Sequence, residues 1–349
     1  MSPIEPSPIE EELRAAFARH EADIPAAGPV RAKIDIARVR AKRRRRVRRS
    51  TGAAAALLIA IAPVPVLVDH WRHTPAAVGN LYGTASRSPE AVGPLDVLLL
   101  GSDNRAADDD PANRRADMVM MVHLPADRSR VYLVSLPRDG AVQLPGGAAK
   151  LTATMFTGGP QLTQRVVSDL TGVDFDATVT VDFRALRSIT EAVGGVELCL
   201  PARLSTGSKG KSYEAGCRRV GPEDVTPILR GRYGLKNGAY DRDRNAQRFL
   251  RSLATKLTLD GTTTDPGRLH SLIEAGRDGI TVDGDMDALL GAAGSMGSAE
   301  VIGVSAPSFH TLADGREQIY PGVGPALYAA IRADRLGGWA DAHPDYVLR

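Results

Sequence analysis

The sequence lacks the residue patterns of several common enzyme classes. Its 7 histidines never form a His-x-x-x-His pair, so no zinc site is indicated. No Gly-x-Ser-x-Gly motif occurs, which removes the main signature of an α/β-hydrolase. Gly210-Lys211-Ser212 resembles the end of a phosphate-binding P-loop, but Ser205 stands where that motif requires its first glycine. The sequence also contains no internal repeat.

Charged residues are missing from Thr51 to Val68, directly after a strongly basic segment in which 9 Lys/Arg residues lie between Arg38 and Arg49. A helix crosses a bilayer with about 20 apolar residues, and the lower limit is roughly 17. Basic residues before such a helix keep their side in the cytoplasm. We therefore expect a cytoplasmic basic tail at 1–50, one transmembrane anchor at 51–69, an extracytoplasmic stalk at 70–93 and a folded outer domain at 94–349.

This basic and apolar segment fits three further roles less well. A cleaved secretory signal requires a small-residue cleavage site soon after its apolar core, and residues 63–70 offer none. A buried core helix requires an amphipathic pattern, which residues 53–61 lack. The arginine run also resembles a nucleic-acid patch, but its position beside an apolar span favours a role in membrane topology.

The charge is distributed unevenly along the chain. Residues 1–50 carry 13 Lys/Arg and 7 Asp/Glu, a net charge of +6, whereas the remainder carries 31 and 34, a net charge of −3. A slightly acidic outer domain without a helix-turn-helix pattern argues against nucleic acid as a partner. An anionic ligand therefore requires a local cluster of arginines.

Cys199 and Cys217 are the only cysteines. Because both lie in the expected outer domain, in an oxidising compartment, a disulfide between them is predicted. Two free buried thiols are the alternative.

Strand-like segments alternate with helix-like segments, which predicts an α/β fold with a central, mostly mixed sheet sandwiched by helices. A disordered tail and one transmembrane helix are expected to precede it. The apolar run 97–101 is typical of a strand buried on both faces. Further strands are predicted at 117–124, 130–136, 177–181 and 196–200, and helices at 159–172, 183–193, 222–230, 242–259, 268–275, 286–296 and 324–333.

Acids and arginines collect where the predicted strands end and helices begin. In chain order they are Asp103, Arg105, Arg115, Asp117, Arg138, Asp139, Arg230, Arg232, Asp241, Arg242, Asp243 and Arg244. Ligands of open α/β sheets bind at strand ends. Arginine suits phosphate because its planar fork donates two hydrogen bonds and keeps its charge, and carboxylates bind Mg²⁺ that bridges to phosphates. The pattern favours a pyrophosphate site with a metal ion, although each Arg–Asp pair alone is more often a solvated ion pair.

Several of these segments resemble one family, the LytR–CpsA–Psr proteins of bacterial cell envelopes. The resemblance is carried in order by Val97-Leu98-Leu99-Leu100-Gly101-Ser102-Asp103-Asn104-Arg105, Arg115-Ala116-Asp117, Val134-Ser135-Leu136-Pro137-Arg138-Asp139, Lys150-Leu151-Thr152-Ala153, Val181-Asp182-Phe183 and Ala192-Val193-Gly194-Gly195-Val196. It is strongest from Asp96 to Arg251. Ala215-Gly216-Cys217 is similar to the second half of a disulfide of actinobacterial members.

The resemblance implies a single-pass membrane enzyme with an extracytoplasmic catalytic domain. Such enzymes move a glycopolymer from a polyprenyl-pyrophosphate carrier onto peptidoglycan and have pyrophosphatase activity on lipid-linked substrates. It implies that Asp103 and Asp117 hold Mg²⁺, that the pyrophosphate is bound by Arg105, Arg115, Arg138, Arg230, Arg232, Arg242 and Arg244, and that the catalytic residues are Arg138, Arg115 and Asp241, with Asp241 as a base. The lipid tail requires an apolar pocket, for which the candidates, otherwise plain core residues, are Phe183, Leu186, Phe249 and Leu253.

The chain departs from the family pattern at four positions. Gly-Asp-x-Asp-Arg followed by Arg-Gln-Gln is expected before the long helix, but Ala239 replaces an acid, and Asn245 and Ala246 replace arginine and glutamine. Thr152 stands where asparagine is usual. These departures leave open a non-catalytic envelope scaffold or regulator that binds polyprenyl phosphates or wall polymer. A lipid pyrophosphatase without transferase activity is a third alternative.

Overall fold

A computed structural model describes residues 93–102, 115–144, 146–207, 210–262, 265–284, 289, 299–305, 309–319 and 322–348. The predicted tail, the anchor and the stalk apart from Gly93 lie outside these residues, as do Asp103, Arg105 and nearly all of the predicted helix 286–296. Among the helices that the structure describes, none combines the length and the apolar character needed to cross a bilayer.

The described elements alternate between strands and helices. In chain order they are β1 (Leu95–Ser102), β2 (Ala116–Leu124), β3 (Arg130–Leu136), β4 (Ala141–Leu144), β5 (Gly147–Lys150), α1 (Thr152–Thr171), β6 (Ala177–Asp182), α2 (Phe183–Ala192), β7 (Val196–Leu200), β8 (Leu204–Ser205), β9 (Ser212–Tyr213), β10 (Gly216–Val220), α3 (Pro222–Arg230), α4 (Ala239–Leu259), α5 (Pro266–Gly276), β11 (Ile280–Gly284), β12 (Glu300–Ser305), β13 (Phe309–Thr311), β14 (Glu317–Ile319), α6 (Val323–Arg332), α7 (Leu336–Ala342) and β15 (Val347–Leu348).

Seven of these strands form a mixed sheet in the order β11-β6-β1-β2-β3-β12-β15. β1 pairs parallel with β6, and β3 pairs parallel with β12. The other pairs in the sheet are antiparallel, including β1 with β2 and β2 with β3. The predicted α/β class with a central mixed sheet is therefore confirmed.

Helices cover both faces of this sheet, which explains why its central strands contain long apolar runs. Val97 and Leu99 of β1 belong to a buried cluster with α2, α3, α4 and α5. The alternate residues Leu98 and Leu100 belong to a second cluster with α1, α6 and α7. Side chains alternate between the two faces of a strand, so a strand between two helical layers is apolar on both faces over most of its length. The continuous run in β1 predicted this arrangement.

Helix α1 begins earlier than its sequence pattern indicated. The predicted start at Gly159 and Pro160 coincides with a break inside α1, where Gly158 and Gly159 leave the helical conformation and Gly159 has a φ of 71°. The preceding turns begin at Thr152. Gly172, with a φ of 68°, ends the helix in the left-handed conformation that favours glycine, as predicted.

Strands β7 and β10 form a separate antiparallel hairpin beside the main sheet. Cys199 and Cys217 lie directly opposite one another in its register and form the predicted disulfide.

Candidate functional site

Several strand ends that carry polar residues meet at one edge of the central sheet. The last residue of β1, Ser102, lies opposite Ala116 at the start of β2. Ser135 near the end of β3 lies beside Ser305, the last residue of β12. Because these strands end at the same edge, Asp117 and Arg138 come close together although 21 residues separate them.

Asp117 is the centre of this cluster. Its Oδ1 accepts a hydrogen bond from Nη1 of Arg138, and its Oδ2 lies 3.5 Å from Nε of Arg230 at the end of α3. The carboxylate is 9% exposed, and the side chains of Arg138 and Arg230 are 18% and 38% exposed. The carboxylate of Asp117 thus holds two guanidinium groups close together at this edge of the sheet.

The backbone around Asp117 is fixed by Thr152, the first residue of α1. Its Oγ1 donates a hydrogen bond to the carbonyl oxygen of Ala116 at 2.9 Å, and its N–H donates to the carbonyl oxygen of Arg138 at 2.8 Å. Thr152 stands where asparagine is usual in the family that the sequence resembles, yet its hydroxyl and its backbone N–H together connect the segments that carry Asp117 and Arg138. This departure therefore keeps a structural role.

A third arginine reaches the cluster from the first turn of α4. Arg242 is buried and donates to Asp243 Oδ1 from Nη2 at 2.6 Å and from Nε at 3.0 Å. Burial lowers the pKa of Arg242, but the charges of Asp243, Asp117 and Asp139 and the bond to Asp243 outweigh it, so the pKa is raised. Arg242 thus lies within electrostatic reach of the Asp117 cluster and stays charged.

Asp243 was not predicted as part of the site. It is buried beside Arg242, and burial raises its pKa to about 6, against the opposing effect of the Arg242 charge and hydrogen bonds. A charged residue on a helix is usually solvated, so its sequence position gave no sign of this role.

We predict that the ionisation of Asp243 makes the stability of the fold depend on pH. Its folded pKa of about 6 lies above the ordinary value of 3.8, so the folded chain binds more protons than the unfolded chain between these values. The contribution of Asp243 to the free energy of unfolding is therefore largest at low pH, and it decreases by about 3 kcal/mol as the pH rises from its ordinary pKa to its folded pKa. Urea unfolding of the wild type and Asp243→Asn at pH 4, 5, 6 and 7 measures this, because the stability of the wild type relative to the variant must fall with pH. A difference in unfolding free energy between the two proteins that stays constant from pH 4 to pH 7 would contradict this prediction.

Polar contacts also join distant parts of the chain to the loop that follows β3. Tyr240 donates from its hydroxyl to Oε2 of Glu317 at 2.7 Å, and the N–H of Glu317 donates to the carbonyl oxygen of Asp139 at 2.9 Å. Lys150 Nζ lies 3.1 Å from Oδ1 of Asp139. Strand β14 therefore connects the start of α4 with the loop that follows β3.

Three predicted site residues either contact groups other than Asp117 or are exposed to solvent. Asp241 accepts hydrogen bonds from the backbone N–H and Nδ2 of Asn237, at 2.9 and 3.2 Å. Arg244 donates from Nε to Ser305 Oγ at 3.1 Å, and its Nη1 lies 3.8 Å from Asp241. Arg115 is exposed at the start of β2. The contacts among the described residues do not join these side chains to Asp117.

Arg232 is also exposed and follows α3. Like Arg115, it makes no side-chain hydrogen bond or ion pair within the part of the chain that the structure describes. Both arginines stay predictions as pyrophosphate ligands, and so does Asp241 as a base.

The cluster of arginines around Asp117 accompanies a match to a known family. The sequence profile of the LytR_cpsA_psr family matches residues 72–317. The chain belongs to the LytR–CpsA–Psr family. The resemblance of its motifs is thereby confirmed.

Two curated relatives of this LytR–CpsA–Psr protein come from different bacteria. "Cell wall biosynthesis protein LcpA" of Corynebacterium glutamicum is 30% identical over 235 residues, which cover 55% of this chain and 45% of LcpA. "Polyisoprenyl-teichoic acid--peptidoglycan teichoic acid transferase TagV" of Bacillus subtilis is 25% identical over 174 residues, covering 47% of this chain and 44% of TagV. The chain spans less than half the length of either relative.

A solved structure supports the fold independently. The protein gbs0355 from Streptococcus agalactiae superposes with a TM-score of 0.60 at 19% identity, covering 70% of this chain and 88% of that one. This likeness concerns the fold of the family domain.

The departures of this family member around α4 have different structural consequences. Ala239 is the first residue of α4. Asn245 is buried; its Oδ1 accepts from Arg248 at 3.1 Å, while its Nδ2 has no partner among the described residues. Nε2 of Gln247, which the chain retains, lies within hydrogen-bonding distance of the carbonyl oxygens of Leu133 and Val304 and of Ser135 Oγ, at 2.8 to 2.9 Å. It fixes α4 against β3 and β12, so the helix is anchored although Ala246 has replaced the neighbouring amide.

The four candidate lipid-pocket residues all lie on the α2 and α4 side of the sheet. Phe183, Leu186, Phe249 and Leu253 are buried in the same apolar cluster, between the sheet and the helices. They occupy the layer where the prediction placed them, and contact with a lipid stays a prediction.

Proposed function

We propose that this protein transfers a glycopolymer from a polyprenyl-pyrophosphate carrier to peptidoglycan at the outer face of the membrane. Membership of the LytR–CpsA–Psr family supports this proposal, as does the name of TagV, which describes transfer of a polyisoprenyl-linked teichoic acid to peptidoglycan. The observation that carries it is the convergence of Arg138 and Arg230 on Asp117, with Arg242 in electrostatic reach.

Arg138 has hydrogen-bonding capacity beyond its bond to Asp117. Its Nε is buried and has no acceptor among the described residues. Leaving a buried donor unsatisfied costs about 1–3 kcal/mol, so an anionic acceptor entering here gains a bond that the protein alone does not make. A diphosphate offers such acceptors, and the planar fork of arginine suits them. We therefore assign Arg138 as the main diphosphate ligand, assisted by Arg230 and Arg242.

The proposed reaction breaks the diphosphate and displaces prenyl monophosphate. The hydroxyl oxygen of the acceptor attacks the phosphorus nearer the polymer, the bond from that phosphorus to the bridging oxygen breaks, and prenyl monophosphate leaves with the electron pair. The proton of the hydroxyl passes to a base, for which Asp241 is our candidate. With water in place of the acceptor, the same step is pyrophosphate hydrolysis. Positioning and charge neutralisation by the arginines provide most of the catalysis in such reactions.

The residues at the end of β1 and the start of β2 suit a divalent cation with oxygen ligands. The buried hydroxyl of Ser102 has no hydrogen-bond partner within the described residues. Asp117 retains acceptor capacity beside its two arginines, because a carboxylate has about four lone-pair sites. Mg²⁺ prefers such oxygens and would supply positive charge to the diphosphate. Asp117 and the predicted Asp103 are the residues that we propose to hold it.

Release of phosphate from a prenyl diphosphate by the full-length protein tests this function. We expect turnover that requires Mg²⁺ and that falls at least tenfold in Asp117→Asn, an exchange of similar size that removes the charge which orders two arginines and holds the cation. Chelation with EDTA followed by Mg²⁺ restores wild-type activity but not the activity of the variant. Equal turnover with and without Mg²⁺, or an unimpaired variant, would exclude this assignment of Asp117.

The second candidate function is a non-catalytic scaffold or regulator that binds polyprenyl phosphate or wall polymer. The commitment of Arg242 to the buried Asp243 favours it, because a guanidinium that is already paired attracts phosphate less strongly. The unpartnered Nδ2 of Asn245, at a position where arginine is usual, favours it as well. Prenyl diphosphate binding without turnover in the same experiment would identify this alternative.

A further inference from the structure

A groove of about 470 Å³ runs along the side of α4, away from the Asp117 cluster. One wall is the helix itself, and the opposite wall comes from Glu197 and Cys199 of β7 and from Leu348 of β15. The groove therefore lies where α4 faces both the hairpin that carries the disulfide and the last strand of the central sheet.

The cations of this groove continue a row of arginines that begins at the candidate active site. Arg244, Arg248 and Arg251 are spaced four and three residues apart, so they lie on one face of the helix. The row covers about 10 Å along the helix axis, at 1.5 Å per residue. Arg244 contacts Ser305 at the site edge, whereas Arg248 and Arg251 line the groove.

Arg244 lies 3.8 Å from Asp241, and Glu197 stands on the opposite wall, but Arg248 and Arg251 form no ion pair within the described residues. Arg248 is half-buried and donates only to the neutral amide oxygen of Asn245, at 3.1 Å. Burial lowers the pKa of Arg248, and the like charges of Arg244 and Arg251 lower it further, against the opposing charge of Asp241. Lys256 differs, since it pairs with Asp260 at 2.8 Å. An anion entering the groove would relieve the repulsion among the three guanidinium groups.

We propose that this groove binds a polyanionic glycan, a chain with repeating phosphate or carboxylate groups, which extends from the diphosphate site along Arg244, Arg248 and Arg251. The inference rests on the proposed function, because the transferred polymer is attached to the diphosphate that Arg138, Arg230 and Arg242 are proposed to bind. Regularly repeated anions match a row of cations, whereas a neutral glycan gains nothing from it. The row thus selects the class of polymer, separately from the residues that bind the diphosphate.

Binding of a fluorescent poly(glycerol phosphate) oligomer to the full-length protein tests the proposal. In the double variant Arg248→Gln/Arg251→Gln, affinity is expected to fall about tenfold or more, because bonds to charged groups typically contribute that much. The matched control is Arg187→Gln/Arg335→Gln, which removes the same charge from two exposed arginines of α2 and of the turn before α7. The control must keep the wild-type affinity, and added salt must weaken binding to the wild type. The single variant Arg251→Gln serves if the double variant unfolds.

Three results would overturn the proposal. The first is equal affinity for the oligomer in both double variants. The second is tight binding of a neutral maltooligosaccharide that the groove substitutions weaken as much as they weaken binding of the oligomer. The third is an equal loss of binding to anionic lipid vesicles, which would make the groove a membrane contact. Prenyl diphosphate turnover is measured in parallel and should stay within twofold of wild type in Arg248→Gln/Arg251→Gln. Absence of turnover in the wild type, with glycan binding still dependent on the groove, would reject the proposed function and leave the glycan site in place.

Discussion

Arg138→Ala is expected to reduce turnover of a prenyl diphosphate by about 10²–10³-fold, the usual cost of losing one preorganised donor to developing charge. The substitution removes both the donor that reaches Asp117 and the buried Nε that has no acceptor among the described residues. Phosphate release under single-turnover conditions measures the chemical step. The control is Arg335→Ala, an exposed arginine in the turn between α6 and α7.

Arg138→Lys separates the charge of this side chain from its geometry. Lysine keeps one positive charge but lacks the planar fork, so we expect most of the loss to persist. Thermal unfolding of both variants shows whether the fold is intact, since Arg138 is partly exposed and its removal leaves Asp117 within 3.5 Å of Arg230. Full activity in a folded Arg138→Ala protein would remove Arg138 from the site.

The class of the central sheet could be predicted from local sequence, whereas the order of its strands was not predicted. An unbroken apolar run such as 97–101 is typical of a strand covered on both faces, and the structure has helices on both sides of β1. Glycines that end helices, such as Gly172, carry their own backbone signal. The short strands β13 and β14 gave no such signal, since three residues show no periodicity.

The partners of the site arginines could not be predicted in the same way. The sequence offered Asp241 and Asp243 on either side of Arg242, and the motif pointed to Asp241. The structure pairs Arg242 with Asp243, because the first turn of α4 directs these two side chains inward and leaves Asp241 to Asn237. The contact between Tyr240 and Glu317 joins residues 77 positions apart, which no local pattern reveals.

The structure also distinguishes which of two neighbouring arginines turns toward the cluster. Arg242 is buried and interacts with Asp117 and Asp139, whereas Arg244 extends to Ser305 on β12. Both were predicted as pyrophosphate ligands from their position before a long helix. Residues two positions apart on a helix point in different directions, so an equal role at one phosphate was not to be expected.

Arg242→Met is expected to destabilise the fold by about 3–5 kcal/mol at pH 7, because it leaves the buried carboxylate of Asp243 without its partner. The loss should be smaller at pH 5, since Asp243 can then take up a proton in the folded state. Urea unfolding at both pH values measures this difference. A loss below about 1 kcal/mol at pH 7 would show that the pair contributes little to the fold.

The double variant Arg242→Met/Asp243→Leu distinguishes structural support from a role in the reaction. Replacing both members of a buried ion pair with apolar residues is often neutral or stabilising, so we expect this variant to recover most of the stability lost in Arg242→Met. If Arg242 also binds the diphosphate, turnover must remain low in the restored fold. Recovery of turnover together with stability would instead mean that Arg242 serves only to neutralise Asp243, and that Arg138 and Arg230 bind the diphosphate without it.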